Sequence, residues 1–181
     1  MAEALEPGRA VSIPLLELSD KRGLGRRREW RTLAARSGAY VGVFEPFVNG
    51  LNDPDLNQLV WERQIETVRQ ALARDPQAAE QLRNDFVAQR GEEAAADLME
   101  MMLGYDQEAI GATRQERKEG VLPQLIRWLD SDQLDYRVLA LYNLNQITGT
   151  RNQGNYRPTH TAQQRQRSLR IYWDRLEKDE L

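Results

Sequence analysis

The chain contains no cysteine. That excludes a disulfide framework, a thiolate metal site and a cysteine nucleophile, and it leaves the redox compartment open. Histidine occurs once, at position 160. A histidine pair for a metal, such as H-E-x-x-H, is therefore impossible, and no glycine-rich phosphate loop or calcium-loop pattern is present. No apolar run approaches the ~18 residues that span a bilayer. The stretch 1–10 is acidic and lacks the apolar segment of a signal peptide. Strand-like alternation is rare, and the asparagine–glycine pair at 49–50 lies inside a helical pattern rather than between β-branched runs. Charge of one sign is also lacking. Twenty-five lysines and arginines face 28 aspartates and glutamates, a net −3, which by itself recruits neither nucleic acid nor an anionic membrane.

What is present is helical periodicity in a chain of 181 residues, 29% charged and 40% hydrophobic. This length suits a single domain over 1–181. The periodicity predicts helices over 12–19, 25–38, 44–51, 57–73, 76–88, 92–103, 106–117, 119–130, 134–148 and 161–178. Asp75-Pro76 reads as an N-cap followed by proline at the first helical position. Asp106 and Thr161 are further N-caps. Val121, Leu122, Leu125, Ile126 and Leu129 form one apolar stripe, and Leu169, Tyr172, Trp173 and Leu176 form another. The segment 134–148 is apolar over most of its circumference, which predicts burial on two sides. Glycines, asparagines and Pro158 make 149–160 a long irregular loop, with Tyr156 expected to pin it.

Three places share a pattern. Ile13-Pro14-Leu15-Leu16 precedes Asp20 and Trp30-Arg31-Thr32-Leu33-Ala34. Glu45-Pro46-Phe47-Val48 precedes Leu51, Asp53 and Glu62-Arg63. Leu122-Pro123-Gln124-Leu125-Ile126 precedes Leu129-Asp130 and Tyr136-Arg137-Val138-Leu139-Ala140. Pro14 and Pro46 lie 32 residues apart, as do Arg31 and Arg63. In each unit the aspartate falls in the turn, where it can cap the second helix, and the arginine can reach it or a neighbouring turn. The alanine permits close packing, although Glu66 takes its place in the second unit. One helical hairpin cannot bury its apolar face alone, so such units must stack.

These residues resemble the HEAT and armadillo repeat families, most specifically in LPQLIRWLDSDQLDYRVLALYNL. FEPFVNGLND together with RVLALYNLNQITG and a following YRP is also similar to a C-terminal HEAT-like region of uncharacterised bacterial proteins. The resemblance implies an all-α fold, a short α–α superhelix of antiparallel helix pairs closed by a capping C-terminal helix. It also implies a curved surface that binds or scaffolds another protein, as a module of a larger protein or assembly.

The candidate sites follow from charge. The run Glu92, Glu93, Asp97, Glu100, Asp106 and Glu108 contains no basic residue, and Glu93, Asp97 and Glu100 share a helical face. Carboxylates in that pattern can hold a hard cation or do acid–base work, but a charged face is usually only solvated. Met99, Met101 and Met102 read as core fillers. Basic charge gathers over 21–36 and 151–170. Arg26, Arg27, Arg28, Arg165, Arg167 and Arg170 are the candidate binding residues, and Arg31, Arg137 and Trp173 the candidate structural ones. No catalytic residue, metal ligand or cofactor is expected. The leading expectation is thus a non-catalytic protein-interaction module. The alternative is sequence-independent binding of a nucleic-acid backbone through the two basic clusters. A cytoplasmic protein without membrane insertion is expected, its terminal Lys178-Asp179-Glu180-Leu181 being a charged helix end rather than a retention signal.

Overall fold

A computed structural model describes residues 27–151 and 153–181, and for residues 27, 28 and 153 only the backbone. The helix expected over 12–19 lies outside these residues. The described chain is all-helical, and no strand occurs among the described residues. Contacts cluster into two compact units divided between Met99 and Glu100.

In the first unit, α1 (Arg27–Tyr40) packs on α2 (Glu45–Leu51) and α3 (Gln58–Arg74), and α4 (Pro76–Arg90) packs on α2 and α3. Ala34, Ala35, Gly38 and Ala39 give α1 a small-residue face that is buried. Phe47, Val48 and Leu51 of α2 and Trp61, Ile65 and Val68 of α3 complete the core with Leu82 and Phe86 of α4. Punctuation is local. Asn57 caps α3 through a bond from the Val60 N–H, and Asp75 caps α4 through one from Gln77, with Pro76 in the first turn. The aspartate of the turn, Asp53, does not cap α3. It accepts the N–H of Asp55 at 3.0 Å and pairs with Arg31.

The division between units falls inside α5 (Glu92–Leu103). The second unit continues with α6 (Gln107–Ile110), α7 (Arg114–Glu119), α8 (Val121–Trp128), α9 (Leu134–Thr148) and α10 (Ala162–Lys178). The single helix expected over 106–117 is two. Gly111, at φ 91°, turns the chain, and Thr113 with Glu116 forms a capping box that starts α7. Asp130, the turn aspartate of the α8–α9 hairpin, also fails to cap the second helix; α9 has no side-chain cap. Residues 137–144 of α9 are all buried, and Asn143 among them donates to the carbonyls of Met101 (3.0 Å) and Leu139 (2.8 Å). The C-terminal helix packs on α8 and α7. Its buried face is Arg165, Ser168, Leu169, Tyr172 and Leu176. Trp173, expected in that stripe, is only half-buried.

Candidate functional site

The two basic clusters fall in different compact units, and each stands by itself. In the first, Arg26 lies outside the described residues, and Arg27 and Arg28 are described only as the opening residues of α1. Arg31 is ion-paired to Asp53, which is 9% exposed. Only Arg36 presents a described and exposed guanidinium there.

In the second unit the arginines divide by the helix period. Arg165 is 6% exposed and turns inward. Its Nε donates to Asp130 Oδ1 at 3.3 Å, Nη1 to the His160 carbonyl at 3.1 Å, and Nη2 to the Asp130 carbonyl at 3.3 Å. A residue read as a binding candidate is therefore tied into the interior, because residues 130 and 160 bring three acceptors to one guanidinium fork. Arg167 and Arg170 stand exposed on α10, and no hydrogen bond or ion pair from the described residues holds them. Arg151 and Arg157 are exposed as well.

Beneath this face lies a knot that orders the loop 149–160. Arg137, 9% exposed, donates from Nε to the Pro158 carbonyl (2.6 Å) and from Nη1 to the Ser131 carbonyl (2.5 Å). Burial, then the nearby Arg165, pull its pKa below the ordinary value, yet a guanidinium stays protonated at any physiological pH. Tyr156 is fully buried and donates its hydroxyl to the Leu129 carbonyl at 2.5 Å. Its ring meets those of Tyr172 and His160 edge-on at 6.4 and 6.5 Å. Burial drives its pKa above the usual phenol range. Ser168 donates to the Gly154 carbonyl at 2.8 Å. Gly154 has φ 66°, and a Cβ there would sit 2.9 Å from Ile171 Cδ1, so loop and helix approach as closely as glycine permits.

Above the knot, Gly154, His160, Gln163, Arg167, Ser168 and Ile171 line a depression of about 440 Å³. Thr161 and Gln164 close the α10 N-terminus as a capping box. The Nδ1 of His160 is buried without a partner among the described residues. Desolvation, then Arg157, lower its pKa, so the imidazole is neutral at pH 7. Gln163 and Ser168 carry no sequence signal of a site. They gather here because the loop folds back on α10.

At the other end of α10, Arg117 reaches Asp179 from Nε (2.9 Å) and Nη2 (2.6 Å), and Lys118 pairs with Glu177. On α5, Glu93 and Glu100 are exposed and Asp97 is half-buried. No group of three metal-ligating side chains occurs among the described residues. Met101 and Met102 are fully buried, and Met99 is 8% exposed. No helix of the described residues is long and apolar enough to cross a membrane.

Compared with protein-family models, with curated proteins and with solved structures, the chain matches none.

Proposed function

We propose that this chain is a non-catalytic, HEAT-like helical-repeat module that binds another protein through the outer face of α10. One observation carries the reading. Arginines two, three and five positions apart on one helix have opposite fates: Arg165 is bonded on three sides by the protein, while Arg167, at the edge of a depression, and Arg170 face water. Held three residues apart on a rigid, capped helix, Arg167 and Arg170 are neighbours and offer planar donors to carboxylates of a partner. The hairpins α2–α3 and α8–α9 supply the repeat character, and α10 serves as the end unit by covering the apolar stripe of α8. Tyr156, Arg137 and Arg165 are bonded to main-chain carbonyls, a role of bracing rather than of chemistry.

The phosphate-backbone reading keeps Arg167 and Arg170 but loses Arg165 to the interior, so less of the cluster is on offer than its composition suggests. The test is capture of partners on immobilised full-length chain, with Arg167→Glu/Arg170→Glu beside it. A protein retained by the native chain and lost with the variant supports the proposal. Binding of mixed-sequence DNA or RNA that weakens linearly with the logarithm of salt, and vanishes in the same variant, would replace it with the nucleic-acid reading.

A further inference from the structure

The residues that line the depression at the start of α10 fall into two sets. One set is already spent inside the protein. Gln164 Oε1 accepts the Thr161 N–H at 3.0 Å, and Ser168 donates to the Gly154 carbonyl at 2.8 Å. The other set is not. Asn155, Gln163 and Arg167 line the same depression and stand exposed, and their side chains hold no hydrogen bond or ion pair among the described residues. Two carboxamides and a guanidinium therefore converge on about 440 Å³ with no partner of their own.

The lining carries a single formal charge. Arg167 supplies it. No aspartate, glutamate or lysine is among the lining residues, and His160 is neutral because burial, then Arg157, lower its pKa. The carboxamides are neutral, and each brings two donors and an acceptor. The start of α10, a helix of 17 residues, adds the positive end of its dipole. One planar guanidinium among neutral donors matches a carboxylate, which it can grip with two parallel bonds. A phosphate monoester brings about −1.5 to −2 of charge, more than this lining balances. A nucleic-acid backbone calls for a row of cations, and Arg165 is withdrawn from the row into the interior.

The depression also has a neighbour. Arg170, exposed and unbonded, lies one turn along α10 from Arg167. Two separate guanidiniums call for two carboxylates. A segment with acidic side chains supplies both, whereas a chain terminus supplies one. We propose that the depression seats an acidic side chain of a partner's peptide segment, with Arg167 on its carboxylate, Gln163 and Asn155 on main-chain groups beside it, and Arg170 on a second acidic residue. The proposal rests on the protein-binding reading above and gives that partner its chemistry. Ile171, half-buried in the lining, offers an apolar contact to the methylenes of a glutamate.

His160 lines the depression and is the only histidine, so its ring resonances report occupancy in the native full-length chain without any substitution. The probe is a short oligoglutamate blocked at both ends, with an oligoglutamine of equal length as control. Oligoglutamate should move the His160 signals saturably, and oligoglutamine should not. Arg167→Gln should weaken binding about tenfold, the loss of one charge-assisted contact. Gln163→Trp, at an exposed position, should weaken it similarly by filling the depression at unchanged charge. Both variants should melt like the native chain. Absence of a saturable shift up to about 10 mM oligoglutamate overturns the proposal; the protein-binding reading is then judged separately, by partner capture with Arg167→Glu/Arg170→Glu. Binding that needs Arg167 and Arg170 but ignores Gln163→Trp and leaves the His160 signals unmoved overturns it too, and puts the partner on the open helix face. So does displacement of oligoglutamate by an equal concentration of inorganic phosphate, which would make the depression a phosphate site.

Discussion

Arg165 and Arg167 are two positions apart and identical in type, yet one is bonded into the protein and the other meets water. That contrast makes single residues informative. Arg137 satisfies the carbonyls of Pro158 and Ser131 from a nearly buried position. Arg137→Ala should destabilise the fold by about 1–3 kcal/mol in urea melts, because two buried acceptors lose a charged donor. Arg137→Lys should recover only part of that, since an ammonium does not reproduce the guanidinium fork. Unchanged stability with lost partner binding would instead make Arg137 a contact residue. Trp173 is half-buried, so Trp173→Ala should have a smaller effect, about 1–3 kcal/mol rather than the ~3–5 of a fully buried tryptophan. His160, the only histidine, gives an unobstructed proton readout. Its folded pKa lies below the unfolded 6.5, with burial the main cause and Arg157 the second. The unfolded chain therefore takes up this proton first as pH falls. The stability this neutral imidazole confers is complete above about pH 6.5 and declines as pH drops from there through the folded value. Its ring-proton NMR titration should show a midpoint below 6.5, and His160→Gln should remove that part of the difference between melts at about pH 7.5 and about pH 5.5. A midpoint at or above 6.5 would mean that the ring is solvated.

Helix ends were the most legible elements. Asp75, Asp106 and Thr161 each accept the backbone N–H that their positions implied. The break at Gly111 was legible too, through the glycine and the Thr113-to-Glu116 capping box, but helical periodicity on both sides masked it. The turn aspartates were legible as turn residues but not in the caps expected of them. Asp53 serves Arg31, the arginine of the preceding unit, which is the reach to a neighbouring turn that the repeat pattern suggested; Asp130 serves Arg165, a partner 35 residues away that no local rule supplies. The largest element-scale consequence belongs to α10. Leu169, Tyr172 and Leu176 bury against the rest of the second unit, and Leu122, Leu125 and Ile126 of the facing α8, with Leu129 just past its end, are buried in turn. Each such side chain is worth about 1.5–3 kcal/mol, so their sum rivals the ~5–15 kcal/mol of a whole domain. Removing residues 161–181 should leave a chain that aggregates or melts without cooperativity, read by thermal circular dichroism and size-exclusion chromatography. A cooperative, monomeric melt near the full-length value would mean that α10 is a docking helix rather than an end cap. Arg167→Glu/Arg170→Glu should melt like the native chain, because neither guanidinium is bonded in the described fold.

For the molecule as a whole, far-UV circular dichroism should show helix with strand far below the globular average of about a fifth; a strand signal near that average would overturn the repeat reading. The helical class and most helix boundaries came from the sequence alone. They depend on i to i+4 periodicity, on caps one to three residues away, and on glycine and proline, all of which are local. The candidate site came through only in part: the basic run over 151–170 was visible, and the inward turn of Arg165 was not. Three things were decided by tertiary structure alone. Contacts divide the chain between Met99 and Glu100, inside a helix whose periodicity runs on unbroken. The end helix seats on α8 and α7 although α9 is the more apolar neighbour. Arg165 is interior and Arg167 is free because the Asp130 and His160 carbonyls converge on one face of α10. An arginine carries no local mark of whether acceptors will meet it, since they are delivered by chain closure over tens of residues, and burial of its charge follows those acceptors.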